Sequence, residues 1–269
     1  MTRIAGRFAA RHAAGQTALI FYLAAGDPSP DATVASMHAL VEGGADLIEL
    51  GYPFCDPILD GPAIRRANRR ALDAGGSLDA TLEVVRRFRR DDGTTPVVLM
   101  GYANPIVSRG AAVVAALATA GVDGLIVPDW PLRETRALLP LLEAAGMVLV
   151  PLVPPGEVAD AALLACAGVG GFAYCIAQAG PTGGGAPDAA AVAGLAARCR
   201  ALVDLPVGVG FGIRTPDSAA ALAPHADAVI VGSALVERIA GLSAEGASVA
   251  DIATQVCAFA AGFRRAIDG

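Results

Sequence analysis

The stretch Asp46-Leu47-Ile48-Glu49-Leu50-Gly51-Tyr52-Pro53-Phe54-Cys55-Asp56-Pro57-Ile58-Leu59-Asp60-Gly61-Pro62 holds the repeating unit of this chain. Its first six residues open on Asp46 and read as an apolar run of strand length, with a carboxylate, Glu49, between Ile48 and Leu50. A loop with prolines at 53 and 57 follows, and Pro62 opens an Ala/Arg-rich helical pattern over 62–73. A strand apolar on both faces belongs in a parallel sheet that is covered on both sides. Such a strand leading through a loop into a helix is a βα unit.

The unit recurs. Strand-like runs cover 18–24, 46–51, 96–102, 124–128, 147–153, 171–177, 206–212 and 228–233, and most are continuously apolar rather than alternating. Helical patterns lie between them, at 31–44, 62–73 with 78–90, 110–120, 132–145, 156–167, 188–202 and 215–224. A final pair covers 234–241 and 248–266, and an extra helix over 2–14 precedes the first strand. Ser29-Pro30-Asp31 and Thr215-Pro216-Asp217 are helix starts with a capping side chain and a first-turn proline. Gly43-Gly44-Ala45-Asp46 and Ala120-Gly121-Val122-Asp123 end helices just before strands.

Eight such units in 269 residues predict one domain over 1–269, a closed α/β (β/α)8 TIM barrel with an extra N-terminal helix. An open, doubly wound dinucleotide-binding sheet would want G-x-G-x-x-G after the first strand. Ala24-Ala25-Gly26-Asp27-Pro28 stands there instead.

Composition narrows the function. Hydrophobic residues make up 54% and charged residues 17%, which suits a compact fold. The net charge of −6 argues against a nucleic-acid partner. Arg86, Arg87, Arg89 and Arg90 read as a solvated helix end before Asp91 and Asp92. Mean hydropathy is +0.54, yet the longest uncharged run, 161–187, is too rich in glycine for a membrane span. Arg3, Arg7 and Arg11 interrupt any signal-like apolar stretch, so a cytoplasmic protein is expected. Five cysteines and three histidines are scattered without metal-ligand spacing, and no metal is expected.

In a barrel of this kind, chemistry sits at the C-terminal ends of the strands. Glu49 lies near that end of its strand, among Leu47, Ile48 and Leu50, where desolvation would raise its pKa toward a value useful for proton transfer. Asp60, in a wetter loop, would stay ionised, and unequal environments would divide the roles of the two acids. The bland reading makes Glu49 a satisfied barrel residue and Asp60 a turn former. Glycines gather after the sixth, seventh and eighth strands, at 180–185, 208–212 and 232, with Ser233 opening a helix. Backbone N–H groups there could close on a phosphate.

"GADLIELGYPFCDPILDGPAIRRANRRAL" (44–72) resembles the signature of the tryptophan synthase alpha chain family. The resemblance extends through 26–28, 100–106, 121–129, 171–183, 206–219 and 226–236, nearly the whole chain in order. It implies retro-aldol cleavage of indole-3-glycerol phosphate to indole and glyceraldehyde 3-phosphate, with no cofactor in this chain. By position it implies Glu49 as general acid/base, Asp60 as partner of the indole nitrogen and Tyr174 as the active-site tyrosine. It likewise implies a phosphate site at Gly183, Phe211, Gly212, Gly232 and Ser233, and an indole pocket of Tyr22, Ile64, Met100, Tyr102 and Ile126. The implied partner is a beta chain carrying pyridoxal phosphate, in an alpha2beta2 tetramer, contacted near Asp56, Asn104, Asp129 and Pro131. Cys55, Leu59, Gln178, Pro181 and Arg133 depart from the family pattern, all around its mobile loops. These departures leave open a free-standing lyase that releases indole. A non-catalytic phosphate-binding activator of a partner is the reading of a different class, and the intact Glu49, Asp60 and Tyr174 argue against it.

Overall fold

The computed structural model describes residues 2–153, 168–176, 189–210 and 212–269. Its strands are β1 (Ala18–Ala24), β2 (Leu47–Gly51), β3 (Val97–Met100), β4 (Gly124–Ile126), β5 (Val148–Leu149), β6 (Leu152–Val153), β7 (Ala173–Ile176), β8 (Val207–Gly210) and β9 (Ala228–Val231). All pair in parallel, in the order β5-β4-β3-β2-β1-β9-β8-β7-β6.

The two ends of that order, β5 and β6, are neighbours in the chain. Only Val150 and Pro151 part them, so the sheet closes through this segment into the expected TIM barrel. The sequence suggests one strand over 147–153, and the structure divides it. Pro151 has no N–H to give to a ladder. Before it, Val150 N donates to Leu125 O (2.9 Å); after it, Tyr174 N donates to Pro151 O (2.9 Å).

The helices are α1 (Arg3–Ala13), α2 (Pro30–Glu42), α3 (Pro62–Asp73), α4 (Leu78–Arg89), α5 (Asn104–Val107), α6 (Ala111–Ala120), α7 (Leu139–Ala144), α8 (Ala189–Leu202), α9 (Pro216–Leu222), α10 (Ser233–Ala244) and α11 (Val249–Asp268). The expected caps form: Ser29 Oγ accepts from Ala32 N, and Thr215 Oγ1 from Ser218 N. The helix expected over 132–145 is instead a 3-10 turn at Leu132–Ala137 followed by α7, since Pro140 tolerates only a first-turn place. The short α5 has too few residues to show a period and is not legible in the sequence. The expected helix at 156–167 lies outside the described residues.

Side-chain alternation sorts the barrel into two layers. Ala18, Ile20, Leu47, Val98, Ile126, Phe172, Tyr174, Ala228 and Ile230 fill the interior. Leu19, Phe21, Leu23, Ile48, Leu50, Val97 and Leu99 face the helices. Ile4 and Phe8 of α1 join the interior cluster, with Phe8 packed on Phe172 at 5.6 Å between ring centroids. The extra helix therefore plugs the N-terminal end of the barrel.

That end is also held by a repeated polar device. An aspartate precedes each of β2, β4 and β9 and accepts a backbone N–H from the neighbouring strand. Asp46 takes Leu19 N (2.9 Å), Asp123 takes Val97 N (2.8 Å) and Asp227 takes Val207 N (2.7 Å). Arginines complete each one: Arg11 and Arg264 on Asp46, Arg3 and Arg89 on Asp123, and Arg200 on Asp227. Arg89 thus corrects the reading of 86–90 as a solvated helix end. Its guanidinium binds Asp123 and the carbonyls of Gly121 and Thr95. Among the described residues, no helix is long and apolar enough to cross a membrane.

Candidate active site

Glu49 shares the parity of Leu47 and so belongs to the inner face of β2, directly beside Tyr22 of β1 in the ladder register. It is 1% exposed, and neither carboxylate oxygen has a hydrogen-bond partner. A charge there would be costly, and burial pushes its pKa up to about 8. At neutral pH the group is therefore mostly a neutral acid that can give a proton and take one back. The bland reading of a satisfied barrel carboxylate does not hold.

Asp60 ends the loop after β2, just before α3. Burial pushes its carboxyl up to about 6, while the Asn68 amide, the Tyr102 hydroxyl and the Arg65 charge pull it back down. Asn68 Nδ2 donates to Asp60 Oδ2 at 3.0 Å. The two acids thus differ in the expected direction, with Asp60 mainly ionised where Glu49 is mainly neutral.

Three tyrosines bind this pair into one site. Tyr22 and Tyr174 are both buried, and both feel the charge of Glu49; burial is the main cause of their raised pKa values. Tyr22 also feels Asp60, as does Tyr102. The Tyr102 hydroxyl accepts Leu59 N (2.9 Å), and its backbone carbonyl accepts the buried Tyr52 hydroxyl (2.6 Å). These bonds fasten the Pro-rich loop to the end of β3. The Tyr102 ring also stacks on Phe54 at 5.0 Å between centroids.

An apolar wall adjoins the acids. Ile64 and Met100 pack against the cluster of Tyr22, Ala24, Ala67 and Val236, and Met100 also touches the cluster of Ile126 and Tyr174. Gly232 lies against Tyr22, where an added Cβ would sit 3.5 Å from the tyrosine Cβ, and Ser233 begins α10. Gly212 has a φ of 73°, which favours glycine. Gly183 and Phe211, with Gln178 and Pro181, lie outside the described residues.

Two glycines of the 208–212 run have a different duty from the one expected. A Cβ at Gly208 would come within 2.9 Å of the Phe172 ring, and one at Gly210 within 2.4 Å of the Tyr174 hydroxyl. They make room for aromatic rings inside the barrel, so glycine in this run is not by itself a sign of phosphate. Asp56, Asn104, Asp129 and Pro131 are all exposed. Asp129 Oδ1 accepts Ala103 N (2.8 Å), tying the loop after β4 to the one after β3. Exposed Ile58 and Leu59 of the loop after β2 and Val107 of α5 add apolar surface. Among the described residues, no group of three or more His, Cys, Asp or Glu side chains is placed to hold a metal ion.

Asn68 was missed in the sequence, though its signal was there. It is the uncharged polar residue in the buried stripe of α3, with Ala63, Ala67 and Ala71, opposite a face of arginines.

A parallel barrel with a neutral buried acid and an ionised partner beside an apolar wall defines a proton-transfer enzyme for a substrate with an apolar part. Comparison with known proteins narrows this. The family model for the tryptophan synthase alpha chain matches residues 8–266. Tryptophan synthase alpha chain from Halorhodospira halophila is 50% identical over 269 residues, covering 100% of this chain and 97% of that protein. The one from Laribacter hongkongensis is 48% identical over 270 residues, covering 100% of both. The crystal structure of tryptophan synthase subunit alpha from Legionella pneumophila superposes with a TM-score of 0.90 at 35% identity, covering 100% of this chain and 99% of that one. A chain of Mycobacterium tuberculosis tryptophan synthase gives 0.85 at 36%, covering 99% and 98%.

The chain belongs to the tryptophan synthase alpha chain family. It is a lyase of tryptophan biosynthesis, catalysing the alpha reaction, cleavage of indole-3-glycerol phosphate.

Proposed function

We propose that Glu49 carries both proton transfers of this cleavage and that Asp60 holds the indole nitrogen. The carrying observation is the pair of unpartnered, buried Glu49 oxygens, with the acid neutral near pH 7. Breaking the bond between indole C3 and the chain carbon requires a proton on C3 and loss of one from the neighbouring hydroxyl. Neutral Glu49 gives the first. The resulting carboxylate takes the second, the carbon–carbon bond electrons return to the ring, and indole and glyceraldehyde 3-phosphate form. Protonation at C3 makes the ring N–H strongly acidic, and the ionised Asp60 stabilises that charge.

Tyr174 flanks Glu49 and limits where the chain carbon can lie. Tyr22, Ile64, Met100, Tyr102 and Ile126 form the apolar seat of the indole. Gly183, Phe211, Gly212, Gly232 and Ser233 hold the phosphate, aided by the N-terminus of α10. Supporting the seat is the shared packing of Tyr22, Ile64 and Met100.

The chain works, in this reading, as one domain in the cytoplasm, paired with a tryptophan synthase beta chain in an alpha2beta2 tetramer. Pyridoxal phosphate belongs to the beta chain and supplies no step here. The beta chain covers the rim at Asp56, Asn104, Asp129 and Pro131; supporting this are the exposed Ile58 and Leu59 beside Asp56 in sequence and the exposed Val107 of α5, the helix that Asn104 begins. Steady-state cleavage of indole-3-glycerol phosphate, with and without a beta chain, tests the reading. Slow turnover alone and much faster turnover with beta is expected. Fast turnover indifferent to beta would make the chain a free-standing lyase.

A further inference from the structure

Among the described residues, the buried side-chain oxygens and nitrogens without a partner are Glu49 Oε1, Glu49 Oε2 and Asn68 Oδ1. The first two belong to the acid of the reaction. The third belongs to a residue 3% exposed on α3, whose other end donates to Asp60 Oδ2 at 3.0 Å. A buried amide oxygen without a donor costs free energy, and evolution or chance could remove it with an apolar residue of the same size. Retaining the amide makes sense if its N–H is needed where it is.

We propose that Asn68 is the positioning residue of Asp60: its amide fixes the rotation of the carboxylate, so that the other Asp60 oxygen meets the indole N–H. This deepens the function proposed above and rests on it. Asp60 projects from a loop that contains Pro57 and Gly61, and a carboxylate there can rotate unless something holds it. Helix α3 holds it here through Asn68, beside the Tyr102 hydroxyl. Asn68 sits in the buried stripe of α3, with Ala67 and Ala71 fully buried on either side. Its side chain reaches the loop that precedes its own helix, so α3 carries both the loop's end and the group that orients it. The remaining Asn68 oxygen is left as an acceptor in the same polar spot.

The groups facing Asp60 are Tyr102 from the loop after β3, Tyr22 from β1 and Arg65 from the first turn of α3. Arg65 is the cation among them. Losing the Asn68 amide removes the hydrogen bond that favours the ionised carboxylate.

Asn68→Leu keeps the branched shape and removes the amide, and Asn68→Ala is the second variant should leucine disturb the fold. Two readouts apply. In the pH profile of kcat/KM for cleavage, the acid limb is expected to move up by about one unit, with kcat reduced roughly tenfold to a hundredfold and KM changed less. In carbon-13 NMR of protein labelled at the aspartate carboxyls, with Asp60 assigned by its loss in Asp60→Asn, the Asp60 titration is expected to move up as well. The NMR titration needs no turnover, so it reads the Asn68–Asp60 link even if the substrate assignment fails. An acid limb and an Asp60 titration both unmoved in folded variants, with kcat within about twofold of the wild type, would overturn the proposal.

Discussion

A Cβ at Gly51 would stand 2.2 Å from the hydroxyl of Tyr22, so the end of β2 can carry no side chain while that ring fills the site. Gly51 shares the inner face with Glu49, two residues away, and the ring that it admits lies beside the acid. Gly51→Ala must push Tyr22 off its place. We expect a stability loss of about 1–3 kcal/mol, from overpacking, and a fall in cleavage larger than that stability loss explains. Urea denaturation together with kcat/KM on the folded fraction checks this; unchanged turnover would mean that Tyr22 does not shape the site.

Glu49 also gives stability a pH dependence. Its pKa is about 8 in the fold against 4.5 for an ordinary glutamate carboxyl. Between those values the folded chain keeps a proton that the unfolded chain has released. Stability therefore falls as pH rises through this window, and flattens above about 8. Glu49→Gln is neutral at every pH and escapes the loss. The variant should gain on the wild type by a few kcal/mol (on the order of one per pH unit) between pH 5 and pH 8. Thermal midpoints of both proteins across that range measure it, and parallel curves would contradict a desolvated acid at this position.

At the opposite end of the barrel, Asp123 accepts Val97 N and binds Arg3 and Arg89. Asp123→Ala leaves a strand N–H without its acceptor and a largely buried guanidinium without its carboxylate. A stability loss of about 3–5 kcal/mol is expected, with kcat of the folded enzyme little changed. Denaturant titration and single-turnover cleavage separate the two effects. A large drop in kcat at full folding would show that the N-terminal end of the barrel is coupled to the site.

Much of this was legible in the sequence because the physics involved is local. Continuous apolar runs identified buried parallel strands, and Ser29 and Thr215 marked helix starts that the structure bears out. The odd Glu49 stood out because a charge inside an apolar strand needs a reason. What was not legible depends on contacts between distant segments. Pro151 did not betray that β5 and β6 take different partners, since that follows from closure of the ring. Arg89 looked solvated in a cluster of like charges, and only the approach of Asp123 from another strand gives it a buried role. Gly208 and Gly210 carried the same letter as a phosphate loop would, and only the rings of Phe172 and Tyr174 reveal what they make room for.

The most direct test of the account is single-turnover cleavage of indole-3-glycerol phosphate by the wild type and Glu49→Gln, both checked at pH 7 for the same circular dichroism and a cooperative thermal transition. The account predicts that the variant stays folded, binds substrate and loses cleavage by at least about a hundredfold. A folded variant that cleaves near the wild-type rate would contradict the assignment of both proton transfers to Glu49.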